Sequence, residues 1–177
     1  MKNLLTKTKD DNILAELYSD KENPDNFHIS YILSMDDFMV LECNVGLHGE
    51  FDGYCAERID DIYKVETDTK YIEKIKSLME RSFECEDIQP VTDNPLKFII
   101  NMAVEKEYVA VICLESQCVT GYIKKFENDM LYMKEVSDYG ISSGDTEVCL
   151  KDILKIMVND TDARDIDYLF KKTVDKL

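Results

Sequence analysis

Residues 31–78, YILSMDDFMVLECNVGLHGEFDGYCAERIDDIYKVETDTKYIEKIKSL, recur as residues 122–169, YIKKFENDMLYMKEVSDYGISSGDTEVCLKDILKIMVNDTDARDIDYL, at a constant offset of 91 and without a gap. Eleven of the 48 pairs are identical, where chance gives about three. They are Tyr31/Tyr122, Ile32/Ile123, Met39/Met130, Val45/Val136, Gly49/Gly140, Gly53/Gly144, Asp61/Asp152, Ile62/Ile153, Lys64/Lys155, Ile75/Ile166 and Leu78/Leu169. Apolar anchors, two glycines and one Asp before an Ile mark a shared core and shared turns. The repeat therefore predicts two tandem units of one architecture: a first unit over 1–82, a linker over 83–93 and a second unit over 94–177.

Within the repeat, alternation of apolar residues predicts strands. Phe27–Ser34, Phe38–Val45, Tyr54–Ile59 and Ile62–Glu66 are expected in the first unit, after an initial strand over Asn12–Tyr18. Asp60-Asp61 marks a tight corner before the last strand. The period then changes. Tyr71, Ile75, Leu78 and Met79 fall on one helical face, with Thr67 or Asp68 as the expected cap. The second unit opens with a helix from Asn94-Pro95 and an apolar strand over Tyr108–Leu114. It then repeats the pattern with strands at Cys118–Phe126, Met130–Val136, Glu147–Leu150 and Ile153–Val158. Asn159 or Asp160 is expected to cap a last helix bearing Ala163, Ile166, Leu169 and Phe170. Residues 1–11 are read as a short helix or a loose arm.

Five short strands with a corner before the last predict a small, strongly bent barrel, and a mainly β fold with flanking helices. The stretch VAVICLESQCVTGYIKKFENDMLYMKEV resembles the first motif of Sm-like proteins, which are SH3-like five-stranded barrels. Gly121 matches the second-strand glycine of that motif, and Glu127 stands at its turn Asp; in the first unit Asp36 matches the Asp and Ser30 replaces the Gly. The resemblance implies two tandem SH3-like, Sm-like barrels. The family's third-strand Asn is replaced by Val40 and Leu131. Its Arg-Gly pair at the last corner is replaced by Asp60-Asp61 and Lys151-Asp152. Since those are the family's RNA-contacting residues, the resemblance supports the barrel more than the activity.

Charge narrows the partners. Thirty-seven acids oppose 21 bases, a formal net charge of −16. Such a polyanion repels phosphate, so nucleic acid is not the expected partner. An acidic surface suits a protein partner with a basic surface, or self-association. No apolar run reaches the roughly 18 residues that span a bilayer, and the start MKNLLTKTKDDN lacks a signal-peptide apolar region. Six cysteines, none in a CxxC, read as buried free thiols in a reducing, cytoplasmic setting.

Motifs for chemistry are weak. Gly140-Ile-Ser-Ser-Gly144 fits a nucleophile elbow, but a strand follows where that motif needs a helix. The run Asp160–Asp165 fails a calcium loop at Arg164 and Asp165. His28 and His48 have no second ligand at metal spacing. No catalytic, cofactor-binding or metal residue is expected. The expected function is a non-enzymatic, acidic protein-binding module. The alternatives are an Sm-like RNA-binding protein and a small acidic inhibitor or immunity-type protein. Partner contact is expected where the copies diverge at the first glycine turn, at Leu47, His48, Phe51 and Tyr54.

Overall fold

The computed structural model describes residues 1–82 and 94–174. It divides into two compact units, Met1–Pro95 and Leu96–Leu177. The expected linker, 83–93, lies outside the described residues. Both units are mainly antiparallel β with helices.

In the first unit, α1 (Lys2–Asp10) precedes β1 (Ala15–Tyr18), β2 (His28–Met35), β3 (Met39–Val45), β4 (Phe51–Arg58), a 3₁₀ turn at Ile59–Asp61, β5 (Lys64–Glu66) and α2 (Lys70–Ser82). The strand order is β5-β1-β2-β3-β4. The second unit comprises α3 (Pro95–Glu105), β6 (Val109–Cys113), β7 (Cys118–Glu127), β8 (Met130–Val136), β9 (Ser142–Cys149), a 3₁₀ turn at Leu150–Asp152, β10 (Lys155–Val158) and α4 (Thr161–Val174). Its order, β10-β6-β7-β8-β9, is the same. Register agrees as well as order. Ile32 pairs with Glu42 and Ile123 with Met133; Val40 pairs with Glu57 and Leu131 with Val148. Bulges fall at Ile32/Ser34 and, 91 residues on, at Ile123/Lys125. The repeat thus extends to individual ladder partners.

Closure is where the structure departs from the expected barrel. Within the first unit β5 pairs with β1 and not with β4, so the five strands form an open sheet. At three residues β5 is short, and its ladder is used on the β1 side. Strand limits shift too. Both β4 and β9 begin earlier than expected because Gly53 and Gly144, at positive φ of 81° and 129°, continue the strand as bulge residues rather than ending a turn.

The two faces of the first sheet are covered differently. Ile29 and Val45 pack with Leu14 and with Ile72 and Ile75 of α2. On the opposite face Leu17, Ala15, Ile32 and Val40 pack with Leu5 of α1, Ile59 and Ile62. The arm reading of residues 1–11 therefore resolves to a docked helix. Thr69, not Thr67 or Asp68, caps α2: the Ile72 N–H donates to its Oγ1 at 3.1 Å. Asp160 caps α4 by accepting from the Ala163 N–H at 2.8 Å. Thr69 Oγ1 also donates to Glu16, a buried carboxylate whose other oxygen lies 2.9 Å from the Tyr18 hydroxyl.

Two cysteines correct the thiol reading. Cys113 and Cys118 are ladder partners across the β6–β7 hairpin, with Cα atoms 4.1 Å apart, and form a disulfide. The hairpin turn, closed by Leu114 N–H to the Gln117 carbonyl, places them opposite one another, which no Cys spacing motif signals. Cys43 and Cys55, both buried, and half-buried Cys149 are not in disulfides. No described helix is long and apolar enough to cross a membrane.

Two predictions follow from this packing. A Cβ built on Gly49 (φ +82°) falls 2.5 Å from the Met79 backbone nitrogen of α2, and one on Gly140 (φ +68°) falls 2.5 Å from Leu169 and Phe170 of α4. Gly144, at φ +129°, has open space around it. Urea titration is expected to show Gly49→Ala and Gly140→Ala destabilising by at least about 2 kcal/mol, and Gly144→Ala by about 1 kcal/mol from conformation alone. Equal costs at Gly140 and Gly144 would remove the helix contact as the cause.

Burial, followed by hydrogen bonding to Glu66 and Glu16, raises the pKa of Tyr18; burial and Asp167 do the same for Tyr122. A raised folded pKa gives stability that is complete below the unfolded value of about 10 and is lost as pH rises beyond it. Thermal melts should therefore fall above about pH 10. Tyr18→Phe should lessen that alkaline loss while lowering stability at neutral pH by on the order of 1–3 kcal/mol, since Glu16 loses a buried donor.

Candidate functional site

The side chains best placed for chemistry or binding lie in the first unit, around one groove. Phe27, His28, Ile29, Asn44, Val45, Gly46, Leu47, His48, Glu50, Asp52 and Tyr71 line a cavity of about 350 Å³. Its rim is the turn between β3 and β4. Gly46 N–H donates to the Glu50 carbonyl at 2.8 Å and Gly49 N–H to the Gly46 carbonyl at 3.0 Å. The Glu50 carboxylate folds back to accept from the His48 N–H at 2.9 Å. This locked turn leaves Leu47, 68% exposed, and His48 at its tip. Phe27 and Tyr71 meet edge to face, with ring centroids 5.3 Å apart. The four expected contact residues therefore divide. Leu47 and His48 line the groove, while Tyr54 is only 2% exposed and its ring meets that of half-buried Phe51 in a tilted contact, with centroids 5.0 Å apart. Phe51 and Tyr54 belong to the packing of the sheet.

The groove has a polar neighbour. His28 Nε2 lies 2.8 Å from Glu42 Oε2 and 3.4 Å from Glu57 Oε1. The imidazole is partly exposed, whereas both carboxylates are buried. Glu42 pairs in the ladder with Ile32, four residues along β2 from His28, so the contact runs diagonally between β2 and β3. Beside it Ser30 Oγ donates to Asn44 Oδ1 at 2.8 Å. The interior of the first unit is thus apolar near α1 and polar toward the groove.

No protein-family model, curated protein or solved structure matches the chain. The repeat is therefore the available internal comparison, and it is informative. The positions of His28, Glu42 and Glu57 are held in the second unit by Val119, Met133 and Val148, all buried. Sequence reasoning missed this set because it sought divergence at exposed turns. The signal was present in the aligned pairs Glu42/Met133 and Glu57/Val148, where buried strand positions change from acid to apolar.

The other motif residues sit apart from the groove. Ser142 opens β9 on the surface, followed by strand. Asp160 is occupied as a helix cap, and Arg164 turns back to the Asn159 carbonyl. A second cavity, of about 400 Å³, lies in the second unit among Ala103, Val104, Tyr122 and Phe170, with Glu107, Lys124 and Lys171.

The division between tip and packing residues is testable by stability. Tyr54→Ala is expected to cost about 3–5 kcal/mol in chemical denaturation, as for a buried aromatic. Leu47→Ala and His48→Ala should each stay within about 0.5 kcal/mol of the parent. A large loss from either tip variant would place it in the core instead.

Proposed function

We propose that the chain is a non-enzymatic interaction protein built from two Sm-like, SH3-type units, with the groove of the first unit receiving a basic protein segment. The observation that carries this reading is the exposed pair Leu47 and His48 on a locked turn above an aromatic floor. An apolar tip on a hydrogen-bonded turn beside an aromatic cleft suits capture of a side chain with an apolar stem and a charged head. The acids Glu50 and Asp52 line the same cavity, and the net charge of −16 favours a cationic partner over a phosphate backbone. The Sm-like assignment is supported by the shared order β5-β1-β2-β3-β4, the 3₁₀ turn at the last corner, and Gly121, where a Cβ would run into the Lys134 carbonyl of the neighbouring strand.

Fluorescence anisotropy with a labelled lysine- and arginine-rich decapeptide tests the reading, with an acidic decapeptide and single-stranded RNA as comparators. Expected is salt-sensitive binding of the basic peptide alone. The double variant Leu47→Ala/His48→Ala should weaken it at least about fivefold, on the order of 1 kcal/mol. Equal binding by that variant would leave only diffuse charge attraction and remove the groove from the proposal. Micromolar RNA binding that falls steeply with salt would favour the nucleic-acid alternative.

A further inference from the structure

We infer that the first unit binds a divalent transition-metal ion, zinc or manganese, between Nε2 of His28 and one carboxylate oxygen each of Glu42 and Glu57. Three donors come from three successive strands, β2, β3 and β4, and their ligand atoms all lie within 4.8 Å of one another. Two of the three are carboxylates buried in the interior of the sheet. Such a set differs from a solvated acidic patch. It contains an imidazole, its two carboxylates are buried, and it is built from strands rather than from a loop.

Its spacing is near that of a coordination sphere. Donors about 2.1 Å from a tetrahedral ion stand about 3.4 Å apart. His28 Nε2 and Glu57 Oε1 are separated by 3.4 Å, and His28 Nε2 and Glu42 Oε2 by 2.8 Å. The His28–Glu42 pair has to widen, by a movement within reach of a Glu side-chain rotation, and the Glu42–Glu57 pair lies within the 4.8 Å that bounds the set. Donor chemistry narrows the ion. One imidazole with two carboxylates suits a first-row dication such as zinc or manganese; calcium and magnesium sites are built from oxygen donors, and Cu(I) favours sulfur. Charge agrees: an imidazolium brings one positive charge to the two carboxylates, and a dication brings two.

The fold does not require these residues. The second unit has the same strand order and register, and fills the three positions with Val119, Met133 and Val148. The polar set is therefore a property of the first copy alone. Access is provided as well, since His28 is shared between the cluster and the groove wall. A metal held by three protein ligands keeps a remaining position for water from that side.

The test uses the full chain, dialysed against a chelator and titrated with zinc chloride and with manganese chloride by calorimetry, with melting temperature measured in parallel. Expected is uptake of one equivalent of at least one of the two ions, and a rise in melting temperature with that ion. The triple variant His28→Val/Glu42→Met/Glu57→Val borrows the second unit's residues; it should keep its fold, lose the uptake and lose the metal-induced rise. If the triple variant does not fold, Glu42→Gln carries the same expectation, with at least about tenfold weaker binding. Absence of uptake by the parent chain overturns the inference. So does undiminished uptake by the folded triple variant, or by Glu42→Gln if that variant is the one used, because the ion would then sit on other groups.

Discussion

In each unit a helix lies directly on a turn glycine, and the rest of the unit is arranged by that contact. Gly49 sits under Leu78 and Met79, and Gly140 under Leu169 and Phe170, both at positive φ and both too close for a Cβ. A helix can approach a turn so closely only where the side chain is missing. Once it does, its apolar face is set at a fixed height above the sheet. Ile72 and Ile75 then reach Ile29 and Val45 in the first unit, and Ala163 and Ile166 reach Tyr122 and Val136 in the second. The same glycine closes the hairpin whose register fixes the remaining strand partners.

This explains which parts of the fold were legible in the sequence. Glycines that serve the backbone and apolar residues that serve the core recur at a fixed offset, so the repeat, most strands and both long helices could be read from it. Openness of the sheet could not, because a three-residue β5 has the same apolar pattern whether one or both of its edges are used. The early starts of β4 and β9 were hidden by treating glycine as punctuation, whereas Gly53 and Gly144 bend a strand that continues. The disulfide was invisible because a hairpin, not a spacing rule, sets Cys113 against Cys118.

Of the site, only the rim was legible. Leu47 and His48 were found by asking where the copies differ in an exposed turn. Phe51 and Tyr54 share that turn in sequence, but the bulge between them sets both in register with Val45 and Cys43 of β3, and their rings meet. His28, Glu42 and Glu57 were passed over because they are separated in sequence and meet only when β2, β3 and β4 are paired side by side. Periodicity shows which face a residue occupies; it does not show which residues of neighbouring strands meet on that face.

The two interiors bring the energetics to a definite point. Removing a carboxylate from water costs several kcal/mol even when a cation faces it, and apolar side chains of similar volume commonly replace such groups with equal or better stability. The second unit contains that replacement: Val119, Met133 and Val148 fill the same ladder positions and are all buried. The strand order and register are thus kept without His28, Glu42 and Glu57, and in the first unit His28 brings that polar set to the wall of the groove.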